Sequence, residues 1–524
     1  MKRLLALFLC CALLLCGCDR GATNALGFHG VVEFEDMQYV RPDMDQVAAA
    51  AQAAIDAAEE NRSADEIMEA VWAYYEICDS FSTNYNLAYI HYHANMKDIY
   101  WQQEQAYCAE NAALLDQYME DIYYALAVCD ARQELEEEYF GYGAFEMYTG
   151  EELYDEALVA LLEHEQVLIA EYYELLSESA LDESQWLDKH ALPAAQILVD
   201  LIRVRQAIAH RAGYDSYPDF AWDCYYYRDY TPNQANRYLK EIKEKLVPVY
   251  RQMNATDVWD TGSRLCSEQK VFDYVKTTAT EMGGTTQETF QLLEQANLYD
   301  ISTSWNKSGM SFEVYLPDYY QPYVFVSGTG TRYDCLTFAH EFGHFANDYA
   351  CGGNIAGVDV TEVFSQGMEY LSLCYGGADE DLIDMKLADS LSVYVEQAAY
   401  ADFERQMYSL TGLRLTARNL LELYEQVGLE YGFDSFDWDP RDMATVPHFY
   451  SNPMYVISYV VSNDAAMQLY QMELETPGAG KACFEENLAT DESGFMTFLD
   501  TAGLESPFHR VDEVQKLMAA RFGG

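Results

Sequence analysis

Basic residues are scarce in this chain. The sequence has 31 Lys and Arg against 87 Asp and Glu, which gives a formal net charge of −56 over 524 residues. A surface of this sign repels polyanions, so it argues against nucleic acid and anionic membranes as partners. It would also favour basic peptides, although a solvated acidic surface is the more general explanation.

Paired cysteines are absent as well. Beyond Cys18 the chain has nine cysteines, an odd number, and none of them forms a CxxC pair. This pattern predicts mainly buried thiols rather than a disulfide framework. Half of the residues are apolar and 44 are Tyr, so the chain does not have the low hydrophobicity that is typical of disordered acidic chains. The length suffices for a large core, in one big domain or two lobes.

Long apolar runs are missing except at the start of the chain. Lys2 and Arg3 precede an apolar run at residues 4–16, which is shorter than the roughly 20 residues that span a bilayer. The run ends in Leu15-Cys16-Gly17-Cys18, which resembles a bacterial lipobox cleaved before Cys18. We therefore expect a lipoprotein signal peptide at 1–17, and a lipidated Cys18 with a tether at 18–30. The alternative is an ordinary signal peptide cut nearby; both predict export, and the first predicts anchoring on the outer face of a bacterial cell membrane.

Histidine is rare, with ten residues in all, yet two of them form a His-Glu-x-x-His motif. On a helix, His340 and His344 leave the same face, because they are four residues apart. Two neutral imidazoles on one face can hold a zinc ion, and Glu341 beside them can take a proton from a water that the metal activates. Gly343 would let another element approach the backbone of this helix closely.

A zinc site of this kind needs a third protein ligand. Asp348 would share the helix of His344 but lie one turn too far along. A second helix is predicted to start near Asp359, with Glu362 in its first turn and Glu369 two turns later on nearly the same face. We expect Glu362 to be the ligand, and Glu369 to be either a reserve ligand or an acceptor that orients a histidine.

These two segments resemble the active site of the M3 family of zinc metallopeptidases, the thimet oligopeptidase and oligoendopeptidase F group. The segments are His-Glu-Phe-Gly-His at 340–344 and Thr-Glu-Val-Phe-Ser-Gln-Gly-Met-Glu at 361–369. In that family a Glu followed by Ser-Gln and a second Glu supplies the third ligand, which here implies Glu362. The resemblance implies a mainly α, two-lobed metallopeptidase with a small β-sheet beside the zinc helix and a deep substrate channel that takes short peptides.

A second segment, residues 447–459, carries a further part of the resemblance. His448 precedes a predicted helix with Pro453 in its first turn, on which Tyr455 and Tyr459 are four residues apart. Taken alone, a Tyr pair in so Tyr-rich a chain is more often packing than catalysis. The segment is similar to the His-then-Tyr-Tyr region of the M3 family. That similarity implies that His448, Tyr455 and Tyr459 act on the oxyanion, with Tyr450 as an alternative register.

The residues before the zinc motif change from helical to strand-like. Residues 311–327 are rich in β-branched and aromatic side chains, and we expect Pro322 to lie off any central strand. An extended peptide could add itself to the open edge of such a sheet, although a purely structural hairpin is an even alternative.

Elsewhere the patterns predict helices. We expect an N-terminal helical region at 31–230 and a zinc-peptidase catalytic region at 231–524. Ser63 begins a capping box, and Thr231-Pro232 starts a helix. His91 and His93 are two apart and therefore make a poor metal pair. Glu163, His164 and Glu165 are expected on a solvated helix face.

The sequence thus predicts an endopeptidase that holds one zinc ion, with Glu341 as general base and short peptides as substrates. Two other classes stay open. One is a surface lipoprotein that captures peptides without cutting them, against which an intact Glu341 argues. The other is a metal-dependent hydrolase of non-peptide amides. Cleavage preference, peptide length limit and oligomeric state do not follow from the sequence.

Overall fold

The computed structural model describes residues 30–145, 148, 156–177, 183–256, 258–353, 356–434 and 438–523. The predicted signal peptide and Cys18 lie outside these residues. None of the helices described has both the length and the apolar character needed to cross a membrane.

Helices dominate the described residues, and a single small sheet accompanies them. In the first part of the chain they are α1 (Met44–Glu59), α2 (Ala64–Ala94), α3 (Ile99–Val128), α4 (Arg132–Leu135), α5 (Glu156–Ser177), α6 (Glu183–Arg211), α7 (Tyr217–Cys224), α8 (Pro232–Lys245), α9 (Val247–Met253), α10 (Glu268–Met282) and α11 (Gly284–Gln295). The strands β1 (Tyr299–Asp300), β2 (Phe312–Leu316) and β3 (Gln321–Phe325) follow. The remaining helices are α12 (Tyr333–Cys351), α13 (Val358–Tyr375), α14 (Glu380–Ser392), α15 (Ala398–Met407), α16 (Ala417–Glu430), α17 (His448–Ser451), α18 (Ile457–Glu475), α19 (Ala479–Asn487), α20 (Phe495–Ala502) and α21 (Val511–Phe522).

Local sequence signals set several helix starts. The Ser63 hydroxyl accepts from the backbone N–H of Glu66, whose side chain accepts from the Ser63 backbone, so the predicted capping box is confirmed. Thr231 makes the same reciprocal pair with Gln234 ahead of Pro232. Each pair satisfies backbone donors that the first helical turn leaves free.

The sheet has the order β1-β3-β2, with β1 parallel and β2 antiparallel to β3. The prediction that Pro322 avoids a central strand was wrong, because Pro322 lies within β3. Its position is tolerated because β1 pairs only with Val324 and Phe325, so at Pro322 the strand has a single neighbour, Tyr315 of β2.

Two clusters of buried apolar side chains give the molecule two lobes. The first joins α1, α2 and α3 with residues as far as Tyr148. The second fills the rest of the structure and includes the metal-motif helix. A cavity of about 700 Å³ opens between them, lined by α2 on one side and by β2, α12 and α13 on the other. The predicted fold class, mainly α with two lobes and a small sheet, is confirmed.

Helices α12 and α13 cross at Gly343. A Cβ there would lie 2.4 Å from the carbonyl oxygen of Phe364 and 2.6 Å from Cα of Ser365. Only a residue without a side chain permits this approach, as predicted. The crossing brings the first turn of α13 beside the histidines of α12.

The remaining structural predictions concern cysteine and histidine. None of the nine cysteines beyond Cys18, all of them among the described residues, forms a disulfide, so the prediction of thiols rather than disulfides is confirmed. His93 is buried against the Ser308 hydroxyl at 2.7 Å, and His91 stacks on Trp101. Both therefore have packing roles.

Candidate active site

Three predicted ligands meet at the crossing of α12 and α13. Ligand atoms of His340, His344 and Glu362 all lie within 4.8 Å of one another, and no other group of this kind occurs in the part of the chain described. Glu362 Oε2 is 3.6 Å from His340 Nε2 and 3.9 Å from His344 Nε2. The Ser365 hydroxyl donates to the same oxygen at 2.9 Å. Two imidazoles and one carboxylate are a donor set that can hold a divalent metal ion.

Glu369 lies behind His340 rather than among these three. The Nδ1–H of His340 donates to Glu369 Oε1 at 2.8 Å, and Lys386 donates to the other oxygen at 2.7 Å. Burial opposes ionisation of Glu369, but Lys386 and His340 lower its pKa. Of the two roles left open for Glu369, the geometry fits the acceptor that orients a histidine, because the contact fixes the ring with Nε2 toward Glu362.

The pKa values of the two imidazoles are shifted in opposite directions. Burial disfavours a charged His340, but the hydrogen bond to Glu369 and the nearby carboxylates raise its pKa to about 9. Burial lowers the pKa of His344 to about 3, helped by the charge of His340. A metal ion binds only the neutral ring, so binding here displaces a proton from His340.

Glu341 lines the cavity beside the triad and is 7 % exposed. Burial raises the pKa of Glu341 to about 7, with Glu362 and Glu369 adding to the effect and His340 opposing it. A carboxyl with a pKa near neutrality exchanges protons readily with a water in the cavity.

The tyrosine segment faces the triad from the other side. The Tyr455 hydroxyl donates to Glu362 Oε1 at 3.2 Å, and the Tyr455 and Tyr459 rings are 5.3 Å apart. His448 stands 5.5 Å from the Tyr455 ring, behind the tyrosines, and is not among the described residues that line the cavity. Tyr450 is fully buried and stacks on Tyr172, so the alternative register that placed it at the site is excluded.

The helix predicted to carry both tyrosines begins later than expected. It starts at Ile457, whereas Tyr455 lies in the turn before it and Met454 has a left-handed φ of 69°. The spacing of four residues still brings the two rings together, but through a turn that redirects the chain rather than through one helix face.

Buried charges that the sequence analysis missed hold this turn. Arg228 donates to the Met454 carbonyl at 2.9 Å and to Asp359 at 3.2 Å, and so ties the turn to the start of α13. The Met454 N–H donates to Glu404 at 2.7 Å, and burial raises the pKa of Glu404 to about 8. The one signal in the sequence for this buried contact was Arg228 itself, an arginine among aromatic neighbours in a chain poor in basic residues.

A second buried arginine corrects one prediction. Glu165, expected on a solvated face, is buried and pairs with the fully buried Arg205 at 2.6 Å. Arg205 also donates to the carbonyls of Phe449 and Tyr450. The prediction of a solvated face was wrong for Glu165 because its partner lies 40 residues away in the sequence, beyond what a local pattern can indicate.

The described residues form a two-lobed helical fold, in which the crossing of α12 and α13 places a possible metal-binding triad in a cleft between the lobes. Residues 34–148 match the family model described as the Peptidase M3 N-terminal domain. The whole fold is similar to solved structures of peptidases, as follows.

PZ peptidase A with an inhibitor aligns at a TM-score of 0.77 and 20 % identity, covering 93 % of this chain and 99 % of that one. A protein assigned as oligoendopeptidase F from Bacillus anthracis aligns at 0.75 and 19 % identity, with coverage of 95 % and 99 %. The oligoendopeptidase F of Enterococcus faecium aligns at 0.56 and 13 %, with coverage of 92 % and 97 %. No curated protein matches the chain in sequence. The family-model match and the shared fold confirm the resemblance to the M3 peptidases.

Proposed function

We propose that this protein is a zinc-dependent endopeptidase that hydrolyses short peptides. The observation that carries the proposal is the triad of His340, His344 and Glu362 with Glu341 beside it, in a cleft between two lobes. A protein that only captured peptides would need no general base at this place.

The residues present suit one zinc ion. His340, His344 and Glu362 would hold it, and Glu369 would keep His340 in the orientation that binding needs. When bound, zinc supplies a Lewis acid that polarises the scissile carbonyl and acidifies the attacking water.

Proton transfer falls to Glu341. The ionised carboxylate takes the proton of the attacking water, and the resulting acid returns a proton to the leaving amine. A pKa of about 7 suits both steps, because each form of Glu341 is accessible near neutral pH.

Tyr455 and Tyr459 are placed to donate to the carbonyl oxygen as negative charge develops on it. Tyr459→Phe should lower kcat by about 10²–10³-fold with little change in KM and with the metal retained. Tyr455→Phe should lower kcat similarly, and it also removes the hydrogen bond to Glu362. Steady-state kinetics with a fluorogenic peptide, alongside metal analysis, checks both.

Tyr450→Phe is the matched control, since the Tyr450 hydroxyl is buried and has no hydrogen-bond partner among the described residues. It should leave kcat unchanged. An equal loss in Tyr450→Phe, or full kcat in both Tyr455→Phe and Tyr459→Phe, would remove the tyrosines from the mechanism.

The sheet offers a way to hold peptides of varied sequence. β2 is an edge strand of the sheet, and its residues 312–315 line the cleft. A substrate lying antiparallel or parallel to β2 would gain main-chain hydrogen bonds that ignore side chains. A cleft of about 700 Å³ between two lobes favours short chains over folded proteins.

The test is a mixed peptide library incubated with the soluble form, residues 19–524, with and without a chelator. Cleavage within peptides of five to fifteen residues that stops with the chelator is the expected result. A protein that holds zinc and binds peptides but cuts none is the capture lipoprotein instead.

The predicted location is a further part of the proposal. The lipobox-like residues before Cys18 support an exported protein, anchored by lipid on the outer face of a bacterial membrane. Cys18→Ala should leave the membrane fraction or stall unprocessed, as read by fractionation and mass. Unchanged membrane association would mean that another feature anchors the protein.

A further inference from the structure

The cleft is rich in acidic side chains. The described residues that line it include five acids, Glu165, Glu313, Glu341, Asp348 and Glu362, and no Lys or Arg. Arg205 neutralises Glu165, Glu362 belongs to the metal triad, and Glu341 is the proposed general base. Glu313 and Asp348 remain, and no described basic side chain pairs with either of them.

These two acidic side chains lie close together, and no described basic side chain balances their charge. Glu313 on β2 and Asp348 on α12 both line the cleft, and each side chain is close enough to the other to affect its pKa. Asp348 is 9 % exposed, and Glu313 Oε1 is buried with no hydrogen-bond partner among the described residues. Burial and the mutual approach raise the pKa of Glu313 well above its ordinary value, and burial raises that of Asp348 to about 7. Two carboxylates this close repel each other when both are ionised, and a cation between them removes that repulsion.

The backbone of Glu313 faces the open edge of the sheet. Pro322 stands opposite Tyr315 and has no N–H, so that pair is of the type that makes no ladder hydrogen bonds. The Tyr315 carbonyl accordingly points outward, where Asn86 donates to it at 2.7 Å. Two residues earlier, Glu313 has the same orientation, so its N–H and carbonyl are available to an added strand.

The position of Asp348 on α12 sets how far the pair lies from the metal ligands along that helix. Asp348 follows His344 by four residues, about one helical turn or ~5.4 Å along α12. An extended peptide advances about 3.3 Å per residue, so this step equals one or two residues. Side chains on neighbouring strands lie beside each other on the same face, and a substrate side chain would therefore meet Glu313 there.

We propose that Glu313 and Asp348 form a subsite for a cationic side chain, lysine or arginine, one or two residues from the bond that is cleaved. The proposal rests on the proposed peptidase function and names the substrate class for that site. The −56 net charge supports it, because the field of the whole protein attracts cationic peptides.

The test compares peptides that differ at one position. Lysine is moved along a neutral peptide and replaced at each position by norleucine, and kcat/KM is measured for each member. The wild type should prefer lysine by about 10- to 100-fold at one position near the cleaved bond. Glu313→Gln, Asp348→Asn and the double variant should lose this preference, read as the ratio of kcat/KM for the lysine and norleucine peptides.

Each preparation is its own control, because loss of folded protein cancels in the ratio of the two peptides. Glu69→Gln, the same charge change at an exposed position of α2 outside the cleft, should keep the preference. A wild type that cleaves both peptides equally, or a preference that survives in the double variant, overturns the subsite while leaving the peptidase standing. Cleavage of no peptide at all overturns the proposed function instead.

A metal cation is the other source of positive charge. Calcium that binds the wild type but not the double variant, in a wild type that shows no lysine preference, would show a metal site and overturn the proposal. Calcium without effect on the preference supports it.

Discussion

Glu341→Gln should bind zinc and peptide as the wild type does, while its turnover falls by about 10²–10⁴-fold or more. Glutamine keeps the size and the hydrogen-bonding capacity of the side chain but cannot accept the proton of the attacking water. The loss can exceed the range of a single proton transfer, because Glu341 acts both as base and as acid. Glu362 is not an alternative base, because Ser365 and Tyr455 donate hydrogen bonds to its two carboxylate oxygens.

Three measurements separate this effect from a folding defect. Metal analysis should give the same zinc content as wild type, calorimetry should give a similar peptide affinity, and chromatography of products should show the loss of rate. Glu69→Gln is the matched control and should cleave at the wild-type rate. Turnover within a few-fold of wild type would remove Glu341 from the mechanism.

The second large effect concerns the metal. His340→Ala and His344→Ala should each reduce zinc content to background, because each removes one of three protein ligands. Glu362→Ala should do the same. Glu369→Ala should keep most of its zinc at saturating metal and bind it about 10- to 100-fold more weakly, as expected for a residue that orients a ligand.

Zinc content after dialysis against a metal buffer distinguishes these variants. His91→Ala is the matched control, because His91 stacks on Trp101 and has no part in the triad. Full occupancy in His340→Ala or His344→Ala would place the site elsewhere. Metal loss in Glu369→Ala with retention in Glu362→Ala would exchange the roles of the two glutamates.

Much of the site could be predicted because its information is local. The four-residue spacing of His340 and His344 places both rings on one helix face, and the first-turn position of Glu362 follows from the start of α13 near Asp359. Gly343 was predicted as the point of close approach for a similar reason, since the absence of a side chain is visible in the sequence itself.

What could not be predicted depends on contacts far apart in the chain. Arg205 reaches Tyr450 across 245 positions, and Arg228 reaches Met454 across 226. Pro322 could enter β3 only because β1 is too short to pair with it. Arg228 and Glu404 form hydrogen bonds with the backbone of Met454 and hold the turn there. The turn therefore could not be predicted from its own residues.

The most direct test of the central claim is a zinc titration of chelator-stripped protein, followed by the rate of peptide cleavage. The cleavage rate should be near zero without zinc, rise linearly with added zinc, and reach a plateau at one zinc per chain. Glu341→Gln should take up the same zinc and stay inactive throughout. Stripped protein that cleaves peptides at the full rate, or a rate that does not respond to zinc, would contradict the account.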